Sequence, residues 1–178
     1  LAHSHILIRD WLANDAGDLA LIANHPQVAV MLRNNFPFPF SIHNATDFIF
    51  RSKKNTDFSI QKAIIFKDKL VGAIGVEWKD DVFKYNGEIG YWVTPDHWGK
   101  GIATESVRLM VDFAFKVQPV KRIFAEVFSD NSASVRVLEK CNFEKEAVLK
   151  NAIIKNGQFQ DCYIFAIQNQ HFFIPPKT

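Results

Sequence analysis

The chain has 178 residues, 48% of them hydrophobic, and a formal charge of +2 at pH 7; that size and balance suit one globular domain with a real core. Its Lys and Arg are scattered, with no basic run longer than a pair, which argues against a nucleic-acid or membrane surface, and no segment approaches the roughly 20 apolar residues of a membrane span. Cys141 and Cys162 sit in no metal-ligand spacing and lack the density of a disulfide scaffold, so a reducing cytoplasm is expected and no metal site.

The opening "LAHSHILIRDW" has no apolar core of signal-peptide length, and His5 to Asp10 reads as a first strand. "NDAGDLALIAN" follows, with Leu19, Ile22 and Ala23 at helical spacing behind an Asn/Asp cap. Two prolines in "RNNFPFPFS" prevent regular helix and leave Phe36, Phe38 and Phe40 on an irregular segment. Two readings of it stay open: a loop pinned to the core by its aromatics, or a loop lining a substrate site. Ser41 can cap a helix over "IHNATDFIFRSKK", with Phe48 and Ile49 on one face.

"FSIQKAIIFKDKLVGAIGVEWK" predicts two strands joined in a hairpin at Lys67-Asp68-Lys69, and Glu88 to Thr94 a fourth strand stopped by Pro95. From Ile102, Ser106, Leu109, Met110, Phe113 and Val117 recur at three- and four-residue intervals, a helix ended by Pro119. "KRIFAEVFS" reads as a strand, "NSASVRVLEKCNF" as a capped helix carrying Val135 and Leu138 on one face, and "QDCYIFAIQ" as a last strand that "KNGQ" turns into. No repeat or linker interrupts residues 1–178, so a single domain is expected.

The chemistry concentrates at "WVTPDHWGKGIATE", Trp92 to Glu105, where a strand, a glycine-bearing turn and a helix start follow one another. The first N–H groups of a helix lack internal partners and make an anion site; Gly99 and Gly101 let the backbone approach and Lys100 adds charge. The same glycines also serve a plain tight turn. A P-loop fails because Gly101 follows Lys100, and a dinucleotide fingerprint fails because Thr104 stands where its third glycine belongs.

"EIGYWVTPDHWGKGIATESV" resembles the GNAT-type N-acetyltransferases, and within them the ribosomal-protein N-acetyltransferase-like branch. The family's acyl-CoA pyrophosphate loop, [Q/R]-x-x-G-x-[G/A], matches Trp98, Gly99, Lys100, Gly101, Ile102 and Ala103, with Thr104 next in the helix. Trp98 departs from the first position. "NSASVRVLEKCNF" is similar to a second family segment, with Asn142 in place of its glycine, and "LIRDW" with "NNFPFPFS" looks like the branch's start and acceptor loop. The resemblance spans nearly the whole chain.

The resemblance implies a mixed, mainly antiparallel α/β sheet, splayed between its fourth and fifth strands, with helices on both faces. It implies acetyl transfer from acetyl-CoA to a primary amine by direct attack in a ternary complex. The oxyanion donor maps to the Val93 backbone N–H, with Trp92 and Thr94 beside it gripping the pantetheine arm through main-chain groups. Glu88 is the first candidate base and Glu77 the second, although a carboxylate at a strand end is also simply solvated or paired, and ordered water can carry the amine proton. Glu77 joins Phe36, Phe38 and Phe40 as a candidate substrate contact. The usual tyrosine acid aligns with Leu138 and is absent. Ser134 takes its place beside Asn131, the two serving either the cofactor and leaving thiolate or only a helix cap. His97 and the cysteines are weaker candidates, and Asp161 reads as structural.

The favoured acceptor is a protein N-terminal α-amine, ahead of small-molecule amines such as amino acids, polyamines or aminoglycoside-like compounds. The rival functions are a non-catalytic acyl-CoA-binding sensor and a phosphate-binding domain unrelated to CoA. The expected enzyme is cytoplasmic, a monomer or homodimer, with no nucleic-acid or membrane partner.

Overall fold

The structure is a computed structural model and describes residues 5–54 and 57–174. In chain order, β1 (Ile6–Arg9) leads through a 3₁₀ turn (Ala13–Asp15) into α1 (Ala16–Ala23), α2 (Pro26–Ala29) and α3 (Ile42–Lys54). Then come β2 (Ser59–Phe66), β3 (Lys69–Trp78), β4 (Asn86–Val93), α4 (Ile102–Val117), β5 (Arg122–Phe128), α5 (Ser132–Lys140), β6 (Glu144–Lys155) and β7 (Gln158–Gln168). The strands form one seven-stranded sheet in the order β1-β2-β3-β4-β5-β7-β6. Every pairing is antiparallel except β4 with β5, whose parallel direction requires the crossover that α4 provides.

Tight hairpins fix the register on both flanks. Lys67 and Asp68 join β2 to β3 with φ of 49° and 62°, and Asn156 and Gly157 join β6 to β7 with 51° and 75°. Left-handed backbone at both central residues is the turn whose twist matches the strands it joins. Lys69, expected in the first turn, already belongs to β3.

Strand alternation sorts the core onto two faces. Ile64, Ile74 and Val76 pack with Val107, Met110 and Ala114 of α4 on one face. Ala63, Ile65 and Ala73 pack with Leu19 of α1 and Ile49 of α3 on the other. Helices therefore cover both faces, as the family resemblance implies. The buried side of α4 keeps Ile102, Ser106 and Met110 of the expected series and adds Val107, Val111 and Ala114, whereas Leu109 and Phe113 are only partly buried and Val117 is 46% exposed. The reason is that α4 packs against β1, β3 and β4 beneath and α5 beside it, so one three-and-four series does not capture its contacts.

Two elements differ from expectation. β6 carries charged residues through "EKEAVLKNAIIK" and is exposed along most of its length, so it shows no alternation; backbone pairing with β7 makes it a strand. The expected helix over "NDAGDLALIAN" begins only at Ala16, because Asp15 is drawn under β1. Its carboxylate receives Arg9 Nη1 at 2.7 Å, Arg9 Nη2 at 2.8 Å and the Leu12 N–H at 2.8 Å.

Burial alone would raise the Asp15 pKa, but the Arg9 guanidinium and the Leu12 amide outweigh it and hold the carboxyl below its usual range. A depressed folded-state pKa contributes stability that is present above the unfolded value and lost as pH falls through the folded one. Asp15→Ala should therefore cost about 1.5–3 kcal/mol at pH 7. Denaturant melts should show that gap narrowing progressively below about pH 4.

Candidate active site

β4 and β5 pair only at their starts, Asn86 to Glu88 against Arg122 to Phe124. Beyond that point each strand follows its other neighbour: β4 stays on β3 as far as Val93, and β5 stays on β7 as far as Phe128. The sheet opens between them into a cleft of about 1010 Å³.

Antiparallel pairing alternates which main-chain groups face the partner strand. Thr94 donates its N–H to Val71 at 2.8 Å and Lys79 donates to the Asn86 carbonyl at 3.0 Å. By that register Trp92 and Thr94 turn their amides to β3, while Ile89, Tyr91 and Val93 turn theirs to the gap. Trp92 and Thr94, expected to grip the pantetheine through main-chain groups, thus have those amides engaged on the far side. A Cβ at Gly72 would stand 2.2 Å from the Trp92 carbonyl oxygen, so glycine alone allows β3 to approach this closely. The Val93 amide, expected as the oxyanion donor, does face the gap. Its carbonyl is held from the loop by Trp98 Nε1 at 2.6 Å.

The loop after β4 enters α4 with φ of 73° at Gly99 and 76° at Gly101, both left-handed. Gly101 is the N-cap and no side chain caps the helix, leaving the first-turn amides toward Ile102, Ala103 and Thr104 open to an anion. Lys100 reaches back to the Asp96 carbonyl at 2.8 Å. His97 faces Phe66 edge-on, and burial, aided by Lys100, pushes its imidazole pKa down.

Side chains from alternate β4 positions divide the cleft into two sides. On the α4/α5 side, Tyr91 donates to the Ser134 carbonyl at 3.3 Å and accepts from Ser134 Oγ at 3.2 Å. Burial pushes the Tyr91 phenol well above its ordinary pKa, so it keeps its proton. Asn131 caps α5 by accepting the Ser134 N–H at 3.1 Å, as Asn at a helix start favours. Leu138 lies fully buried beneath that helix. Tyr91 brings an aromatic hydroxyl to Ser134 from β4, two residues before Val93, a juxtaposition that exists only once β4 and α5 are packed together.

On the opposite side stand Glu88 and Trp92. Glu88 is directly opposite Glu77 on β3, two like charges in register. Lys79 Nζ meets Glu88 Oε2 at 2.7 Å, and Arg33 Nη2 bonds both Glu88 Oε1 and, at 2.9 Å, Glu126 Oε2 on β5. Asp80 and Asp81 lie apart, in the β3–β4 connection. Phe36 stacks on Phe40 at 5.2 Å and meets Trp92 edge-on at 6.2 Å. Phe36 and Phe40 line the cleft although Phe40 is also core, while Phe38 is half exposed and outside the lining. The loop is thus pinned to the core by Phe40 and brings Phe36 and Phe40 to the cleft, while Phe38 does neither. Asp161 ties Lys150 and the Asn151 N–H across the β6–β7 irregularity, a structural role.

A sheet parted beside a glycine-lined helix start is the fold of an acyl-CoA transferase, and the chain belongs to the GNAT acetyltransferase family, whose domain profile matches residues 5–144. It is an acetyl-CoA-dependent N-acetyltransferase. It is 35% identical over 124 residues, 70% of this chain and 68% of the relative, to the probable N-acetyltransferase YjcK of Bacillus subtilis. It is 30% identical to the uncharacterized N-acetyltransferase p20 of Bacillus licheniformis over 94% of each chain. Among solved structures, the ribosomal-protein-S5-alanine acetyltransferase of Vibrio fischeri superposes with a TM-score of 0.83 at 21% identity over 98% of each chain. The spermidine N-acetyltransferase of Vibrio cholerae, in complex with CoA and spermine, superposes with a TM-score of 0.78 at 19% identity, covering 92% of this chain and 95% of that one. At such identities the two superpositions speak for the fold alone.

An added side chain at Gly101 meets open space, and its left-handed φ costs only about 1–3 kcal/mol. Gly101→Glu should therefore fold, with an unchanged circular dichroism spectrum, yet lose CoA affinity by at least about a hundredfold in calorimetry, because it sets a negative charge on the anion site. Unchanged affinity would make the loop merely a turn.

Proposed function

We propose that residues 1–178 act as one catalytic domain that transfers acetyl from acetyl-CoA to a primary amine, with a protein N-terminal α-amine as the favoured acceptor. The observation that carries this reading is the two-sided gap at Val93: a carboxylate, Glu88, on one side and a hydroxyl pair, Ser134 with Tyr91, on the other. The cofactor supplies an activated acyl thioester. Gly99 to Thr104 at the start of α4 hold its pyrophosphate, with the Trp98 indole bracing the loop, and the gap-facing amide of Tyr91 receives the pantetheine arm.

Each residue then has one task. The Val93 amide donates to the acyl oxygen as negative charge develops there. Glu88 takes the proton of the attacking amine; its two cationic partners leave lone pairs free on a carboxylate that can accept about four hydrogen bonds. Ser134 turns its hydroxyl from Tyr91 to the leaving sulfur, the protonated Tyr91 phenol staying on the Ser134 carbonyl, with Asn131 holding the helix start that carries the serine. Glu77 stands next in line on the acceptor side, and Phe36, Phe40 and Trp92 pack against the acceptor's first residue.

Charge favours a singly charged amine over a polyamine. Glu77, Glu88 and Glu126 are already faced by Arg33 and Lys79, so the acceptor side carries little net charge for a polycation to neutralise. The fold is shared with an S5-alanine enzyme and a spermidine enzyme alike, so a small amine stays the second reading.

Thiol release from acetyl-CoA should be measured against short peptides with different free N-termini, amino acids, spermidine and an aminoglycoside. Turnover confined to peptides is expected; turnover confined to spermidine would replace the α-amine reading with the second one. Glu88→Gln should lower kcat by about 10²–10⁴-fold with CoA affinity unchanged, and a rate and pH profile matching wild type would remove Glu88 from the role of base. Ser134→Ala should cost under about tenfold, because a thiol of ordinary pKa leaves with little help.

A further inference from the structure

We infer that Arg33 is an internal competitor for the acceptor's ammonium group, a guanidinium docked on Glu88 and Glu126 that the incoming amine must displace; this rests on the reading that the acceptor approaches Glu88. Arg33 belongs to the irregular segment between α2 and α3 and lies along the same cleft as Trp92 and Tyr91. One nitrogen, Nη2, makes both ion pairs, in the way a single ammonium would. The carboxylates it spans come from two different strands, one on each side of the opening in the sheet.

The segment is placed there by construction. Lys155, at the end of β6 and only 9% exposed, donates from Nζ to the Ala29 carbonyl at 3.1 Å, the Leu32 carbonyl at 2.6 Å and Asn34 Oδ1 at 3.1 Å. All three ammonium protons are thereby spent on residues flanking Arg33. The anchor is buried while the Arg33 side chain itself is 54% exposed, so the guanidinium can swing into solvent without the segment moving. The Glu126 pair is exposed at both ends and weak, and Glu88, though only 13% exposed, keeps Lys79 as a partner when Arg33 leaves, so the guanidinium can exchange against a ligand charge. A primary amine that loses this competition stays out; one that wins arrives with its nitrogen on Glu88. The device selects acceptors whose remaining contacts, to Phe36 and Trp92 for example, add to the charge, and it disfavours bare small ammonium ions.

The test titrates n-butylammonium, a minimal primary ammonium, into the CoA-saturated protein and follows tryptophan fluorescence, Trp92 lying beside the site. Arg33→Gln should bind it roughly three- to tenfold tighter than wild type, Arg33→Lys should bind as wild type does, and adding Glu88→Gln to Arg33→Gln should abolish the gain. Equal affinity in wild type and Arg33→Gln, or no saturable binding to either, overturns the inference. The peptide assay is read separately. A tighter Arg33→Gln with no peptide turnover would leave the competitor standing and sink the α-amine reading, whereas peptide turnover with equal n-butylammonium affinities would do the reverse.

Discussion

Everything at the site depends on one broken ladder: β4 and β5 stop sharing hydrogen bonds after Glu88 and Phe124. Backbone amides seldom go unpaired, so a sheet parts only when each strand is held elsewhere. Here β4 is held on β3 through Val93, by a contact so close that only glycine fits at position 72, and β5 is held on β7 over its whole length. Pro95 ends β4, and the crossover through α4 brings the chain back only after the two directions have diverged. The gap is the geometry left once both strands have committed to their outer neighbours.

That gap lets one sheet do two jobs at once. Because successive residues of β4 point to opposite faces, Tyr91 meets Ser134 on α5 while Glu88 and Trp92 meet Arg33 and Phe36 on the other side. The main chain between them, at Tyr91 and Val93, is common to both. A donor and an acceptor entering from opposite sides would meet at that strand without either having to pass the other, and proton removal and thiol departure would be served by residues that never touch.

Much of this was legible in the sequence. Loop chemistry gave away the start of α4, since Gly99 and Gly101 have the left-handed φ that their positions suggested, and Asn131 caps α5 as its residue type favours. Asn142, standing where the family has glycine, takes φ 61°, which Asn tolerates better than other side chains. What stayed hidden was pairing over distance. Arg33 meets Glu88 55 residues away and Glu126 93 residues away, and no periodicity or spacing carries that information. The same holds for Tyr91 with Ser134, and for β6, whose exposed surface gives no alternation because its backbone, not its side chains, makes it a strand. Main-chain direction was likewise invisible. Whether Trp92 or Val93 offers its amide to the gap depends on register with β3, and a one-residue slip would exchange them.

The departure at Trp98 gains a physical account from the same register. A long polar side chain at that position could reach a phosphate; an indole cannot accept that role, since its one donor is Nε1–H. That donor is spent on the Val93 carbonyl, which begins the peptide unit following the gap-facing amide. The contact ties the first residue of the glycine loop to the last residue of β4, so the anion site is positioned against the strand whose register with β3 already aims the Val93 N–H. In the proposed reaction these two groups hold opposite ends of the same cofactor, the pyrophosphate and the acyl oxygen. A short rigid link between them fixes the span the cofactor must bridge, and a flexible glutamine or arginine at position 98 would leave that span to the loop.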